Sequence, residues 1–197
     1  MPRTEQQNQA IRDKRRAKIL TNALKTFAVN GYDKTSVDDI TKSVKCSHGL
    51  FYHYFDSKED VYRAVVEEKV LVDGVLPYEI VTNAGWEEGL DVLLSFFESA
   101  VKEGGAGLYK AVLIIDAGKG KSLDDFAKKF AQDHQLAAIL ENQITSGQAE
   151  GKLKEGNPKQ FAGAINDIIE ANVKKALYER KGFLAEKGTI LALLGKD

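Results

Sequence analysis

The residues best placed to do chemistry lie close together near the start of the chain, in "SVKCSHGLFYHYF", residues 43–55, and its flanks. His48 can donate or accept a hydrogen bond at the edge of a nucleic-acid base, Leu50 can meet a thymine methyl, and Gly49 leaves room for close approach. Tyr52 and Tyr54 offer phenol donors to backbone oxygens, and Lys58 offers a charge to a phosphate. Ser36 and Ser47 stand where helix caps are expected, beside amides that can hold phosphates. Phe51 and Phe55 are expected in the core.

Other chemistries find less support. There is no Ser-His-Asp order, no H-E-x-x-H and no carboxylate cluster with acid/base spacing, so no enzymatic activity is expected. The single cysteine, Cys46, excludes an internal disulfide framework and a Cys-based metal cage, and no cofactor or metal is expected. One remote rival is a nucleotide-binding enzyme. "LYKAVLIIDAGKGKS", residues 108–122, ends like a phosphate loop at Gly120, Lys121 and Ser122, but Ile115 stands where the first glycine belongs.

The elements that must position the cluster are helical, because alternating strand-like runs are nearly absent. A first helix over residues 10–30 places Ile19, Leu20, Ala23, Leu24, Phe27 and Ala28 on one stripe, with Gly31 available for a left-handed cap. Ser36 and Asp39 form a capping box for a short second helix with Ile40 and Val44 buried, and Ser47 caps a third through "HGLFYHYF". Two short helices joined by a tight turn and braced by a longer one make a helix-turn-helix pattern. Ser57 caps a fourth helix, from residue 58 to about 73, that leads into the rest of the chain. The domain boundaries expected are 1–58 for a basic head, with this helix as connector, and 74–197 for a larger helical body.

Charge supports that division. Residues 1–58 carry 11 Lys/Arg against 6 Asp/Glu, a net of +5, so the remainder is −6 in a chain whose total is −1. A basic head on an acidic body confines polyanion contact to the head. In the body, Trp86 to Val101 and Leu123 to Ile144 read as long helices, and segments near 158–180 and 183–194 are apolar enough to pack against a second subunit. Trp86, Phe97, Tyr109, Phe126, Phe130 and His134 are candidates to line a small-molecule pocket, with ordinary core as the alternative for each. No run approaches the ~20 apolar residues of a membrane span, the N-terminus is polar and basic, and a cytoplasmic location without membrane contact is expected.

"KILTNALKTFAVNGYDKTSVDDITKSVKCSHGLFYHYFDSKEDVYRAVVEE", residues 18–68, resembles the DNA-binding head of the TetR/AcrR family of transcriptional regulators. The marks are Phe27 with Gly31 and Tyr32, the "TSVDDI" opening and the "LFYHYFDSKEDV" close. The resemblance implies an all-α homodimer whose recognition helices reach successive major grooves of a palindromic double-stranded DNA operator, with an effector pocket in each C-terminal domain. Carried over by position, the family's DNA contacts fall on Ser36, Val37, Ser47, His48, Leu50, Tyr52, Tyr54 and Lys58. The expected function is a repressor released by a small molecule, the alternative being a regulator governed by a protein partner or by no effector. Two positions depart from the family: Thr41, where a small residue is usual, and Lys45, where the turn usually has glycine and a positive φ would strain any other residue.

Overall fold

In the computed structural model, the residues described are 4–71, 81, 83–117, 125–133, 135–179 and 187–195, and among them every extended element is a helix. Helix α1, Glu5–Asn30, starts a turn and a half earlier than its apolar stripe suggests. The cause is a capping box: Gln7 N–H donates to Thr4 Oγ1 at 3.3 Å, and Thr4 N–H donates to Gln7 Oε1 at 3.0 Å. Ile19, Leu20, Ala23, Leu24, Phe27 and Ala28 are buried along one face. Gly31 ends the helix at φ 77°, ψ 162°, a positive φ but not the left-handed helical conformation expected, and its N–H bonds Phe27 O at 2.8 Å.

Helix α2 is Val37–Val44, capped by Ser36 as its sequence indicates. Asp39 N–H donates to Ser36 Oγ at 3.1 Å, and Asp39 Oδ2 accepts from Ser36 N–H at 2.9 Å, which closes the box. The turn after it adopts the costly geometry. Lys45 sits at φ 59°, ψ 53°, the only non-glycine with positive φ among the described residues. Helix α3, His48–Tyr52, is shorter than the aromatic run suggested, and Ser47 Oγ accepts from Leu50 N–H at 3.2 Å. Helix α4, Lys58–Val65, begins at Ser57, which accepts from Asp60 N–H at 3.0 Å. It continues as a π-helical turn over Val66–Leu71.

The body consists of α5 (Trp86–Glu103), α6 (Gly105–Ile115), α7 (Asp125–Asp133), α8 (Leu136–Ala149), α9 (Pro158–Glu179) and α10 (Lys187–Leu194). Two expectations change here. Residues 108–115 are helix, so the strand a phosphate loop requires is not there; Gly120, Lys121 and Ser122 lie outside the described residues. The long helix expected from Leu123 to Ile144 is two, with Gln135 extended at φ −70°, ψ 103° ahead of α8. Helix α9 starts with Pro158 in the first turn, where its missing N–H costs nothing, and Asn157 Oδ1 accepts from Lys159 N–H at 3.0 Å. It packs on α8, α6 and α5.

Head and body share a continuous core because α1 packs on α2 and α4 and also on α6. One ion pair ties the base of the head to the π turn. Arg16 donates through both terminal nitrogens to the Glu68 carboxylate, at 2.5 and 2.7 Å, and its guanidinium lies 5.3 Å from the centre of the Phe55 ring. The hydrogen bonds from Arg16 hold the Glu68 carboxyl below its usual value of about 4.5, against a smaller opposing effect of burial.

Two expected outcomes follow from these local geometries. Lys45→Gly removes the steric cost of the left-handed backbone, and chemical denaturation should show a gain of about 1 kcal/mol. For Glu68, a depressed carboxyl stabilises the fold above the unfolded pKa and loses that contribution as pH falls through the folded one. Thermal unfolding should therefore show wild type above Glu68→Gln near pH 7, by about 1 kcal/mol or less because the pair is partly exposed, with the gap closing below about pH 4.5.

Candidate nucleic-acid interface

The helix-turn-helix presents its exposed side chains from a buried base. Phe51 is wholly inside the core and Phe55 nearly so, while Val37, Leu50 and Tyr54 are half-buried beside them. That anchoring leaves Ser47, His48, Gly49 and Tyr52 exposed on the short helix α3 and the turn before it. Tyr52 is 52% exposed with its ring edge-on to Phe51 at 5.4 Å, so its phenol is carried on a fixed support. Tyr54 stands edge-on to His53 at 5.0 Å. Ser36 is exposed at the start of α2, where its hydroxyl is engaged with Asp39.

Lys58 is held differently from the others. Its ammonium donates to Tyr32 O at 3.2 Å and lies 4.3 Å from the centre of the Tyr32 ring. Tyr32 in turn stacks on Phe27 at 6.0 Å, meets Tyr62 edge-on at 4.8 Å, and donates its hydroxyl to Glu59 Oε1 at 2.9 Å. The start of α4 is thus fastened to the end of α1 at the edge of the interface. To meet a phosphate, the Lys58 ammonium must leave the Tyr32 ring.

Asp38 and Lys42 join this surface although the sequence reading did not single them out. Lys42 Nζ is 2.5 Å from Asp38 Oδ2, and His48 Nε2 is 3.6 Å from Asp38 Oδ1. The first contact was legible as an acid–base pair four residues apart on a helix. The second depends on how α3 docks on α2, which spacing does not give. The hydrogen bond to Asp38 is the main reason the Lys42 pKa lies above its ordinary value.

The candidate pocket residues are spread over several environments. Phe97 and Phe130 are buried in the core, and the Trp86 indole N–H donates to Glu150 at 2.9 Å. Phe126 lies under the Arg63 guanidinium at 5.1 Å. Tyr109 lines a cleft of about 380 Å³ with Val101, Leu108, Ala176 and Leu177. His134 lies outside the described residues. A second cleft, of about 250 Å³, runs along the seam between head and body, where Tyr32, Tyr62 and Gly31 face Val112, Asp116 and Lys174. The Lys174 ammonium is 2.9 Å from Asp116 Oδ1 and 3.2 Å from Glu170.

An exposed short helix on an aromatic base, preceded by a capped helix and braced by a long one, defines a helix-turn-helix protein with an all-α body. Residues 19–65 match the family described as "Bacterial regulatory proteins, tetR family", so the head belongs to that family. The biofilm operon icaADBC negative transcriptional regulator IcaR of Staphylococcus epidermidis is 46% identical over 50 residues, 25% of this chain and 27% of IcaR. The match to these curated relatives spans only about a quarter of their length. The fold likeness reaches further. A TetR-family transcriptional regulator from Agrobacterium tumefaciens superposes with TM-score 0.67 at 19% identity, over 94% of this chain and all of the other. AibR, solved in complex with isovaleryl coenzyme A and operator DNA, gives TM-score 0.66 at 17% identity, over 91% of this chain and 95% of its own. The whole chain therefore has the fold of that family's regulators: a helix-turn-helix head followed by a helical C-terminal domain.

Proposed function

We propose that this protein is a sequence-specific DNA-binding transcriptional regulator, a homodimeric repressor that a small molecule releases from a palindromic operator. The observation that carries this reading is the exposed face of α3. His48, Gly49 and Tyr52 project from a helix whose other side is fixed by fully buried Phe51, so that face is presented without an internal partner element to cover it. In such a motif the N-terminal residues of the second helix reach base edges while its flanks hold phosphates. Here His48 reads a base, Leu50 touches a thymine methyl, and Ser36, Val37, Ser47, Tyr52, Tyr54 and Lys58 position the backbone. The family match of the head supports the same assignment.

Dimerisation falls to α9 and α10, which carry exposed Tyr178 and Leu193 and would form a four-helix interface with a second copy. This fixes the separation of the heads at roughly 34–36 Å, one turn of DNA. An effector acts by fitting one head spacing better than another, as its differential affinity requires. AibR was solved with both a coenzyme A thioester and operator DNA, which supports effector control in this fold without identifying the effector here.

Binding of the full-length protein to a randomised duplex pool, followed by sequencing of the retained DNA, should enrich a palindrome. Retention without enrichment in folded protein would overturn sequence-specific reading. On the enriched site, His48→Ala should lose about 1–3 kcal/mol of discrimination at one base pair of each half-site. Lys58→Ala should weaken binding to every sequence alike and make the salt dependence shallower by about one unit per head.

A further inference from the structure

Asp38 is an anion on the surface expected to meet a polyanion. Its carboxylate bridges the two helices of the motif, with Lys42 Nζ at 2.5 Å on one oxygen and His48 Nε2 at 3.6 Å on the other. All three side chains are well exposed: 47% for Asp38, 73% for Lys42 and 56% for His48. Exposed pairs of this kind contribute little to stability, typically about 0–1 kcal/mol. The helix start does not depend on Asp38 either, because Ser36 and Asp39 already satisfy each other across the capping box. The carboxylate must also repel approaching phosphates, so its geometry is better explained by what it does to its two neighbours.

We propose that Asp38 is a positioning residue for DNA reading, one that sharpens the base preference of His48 and lowers affinity for DNA in general. The inference rests on the DNA-binding function proposed above. The carboxylate attracts the Nε2 edge of the imidazole, and a neutral ring so oriented carries its proton on Nε2. Nδ1 is then the nitrogen left for a base, and it is an acceptor. An acceptor suits the exocyclic amine of adenine or cytosine in the major groove and disfavours the oxygen edges of guanine and thymine. Without Asp38 the ring can turn, either tautomer can face the duplex, and both kinds of edge are satisfied. The same carboxylate holds the Lys42 ammonium and so keeps one cation from a phosphate that any sequence would supply. Discrimination and general affinity are thereby set in opposite directions by one side chain.

The experiment compares full-length wild type, Asp38→Ala, Asp38→Asn, His48→Ala and the Asp38→Ala/His48→Ala double variant. Binding is measured on the duplex enriched by wild type, on its single-base variants and on random DNA, over a range of salt, with circular dichroism and thermal unfolding as checks of the fold. At the base pair where His48→Ala loses discrimination, Asp38→Ala should lose roughly 5- to 100-fold, the range for one base contact. The double variant should discriminate no worse than His48→Ala alone. On random DNA, Asp38→Ala should bind tighter with a salt dependence steeper by about one unit per head, as freed Lys42 takes a phosphate. Asp38→Asn, which keeps the side-chain size, should show the same gain on random DNA and serves if the alanine variant does not fold. A merely structural role would lower binding to all DNA together. Unchanged discrimination in Asp38→Ala, losses that add to those of His48→Ala, or weaker binding to random DNA would each overturn the proposal. If wild type itself prefers no sequence, the DNA-reading function fails first, which separates that failure from this one.

Discussion

Tyr32 is a point where three otherwise separate pieces of chain are held. Its ring stacks on Phe27 from α1 and meets Tyr62 from α4, its hydroxyl donates to Glu59, and its carbonyl and ring face receive the Lys58 ammonium. Aromatic contacts of this sort contribute roughly 0.5–1.5 kcal/mol each beyond simple burial. Their greater effect is geometric. They fix the angle between the end of α1 and the start of α4, and the short helices α2 and α3 occupy the space between those two elements. A five-residue helix has too few internal hydrogen bonds to hold itself in water. The direction in which α3 presents its exposed residues is therefore set by this frame.

The frame also explains which parts of the molecule could be read beforehand. Ser36, Ser47 and Ser57 announced three helix starts because a cap is a local event within four residues, and each makes the expected hydrogen bond. The stripe on α1 was equally plain. Thr4 and Gln7 carried the same kind of signal, but no apolar periodicity follows them, and the first turn and a half of α1 was missed. The break before α8 left no such mark. Gln135 turns the chain without a glycine or proline, so tertiary packing decides where one helix ends.

The interface was legible as a set of residues and less so as an arrangement. Phe51 and Phe55 were assigned to the base, and the core holds them. Lys45 was suspect because a lysine stands where glycine is at ease, and it does adopt a positive φ. The attachment of Lys58 to Tyr32 and the bridge from Asp38 to His48 are contacts between elements far apart or on different helices. Sequence spacing contains neither. The candidate pocket was the least legible part, because burial of an aromatic residue looks the same in a sequence whether the ring faces a cavity or another side chain.

The π turn at Val66–Leu71 has a consequence for how such a molecule changes over generations. A π turn accommodates a surplus residue within a helix that otherwise keeps its course, and in an α-helix one residue amounts to roughly 100° of rotation about the axis. Loss of a single codon in this stretch would restore ordinary α-helical winding and turn everything beyond it by about that angle relative to the head. Lengthening or shortening the helix by one residue is thus a discrete route to re-aiming one half of the protein against the other while leaving the cores of both intact. The Arg16 to Glu68 pair, anchored on the far side of the same turn, would be the first contact such a change would have to rebuild.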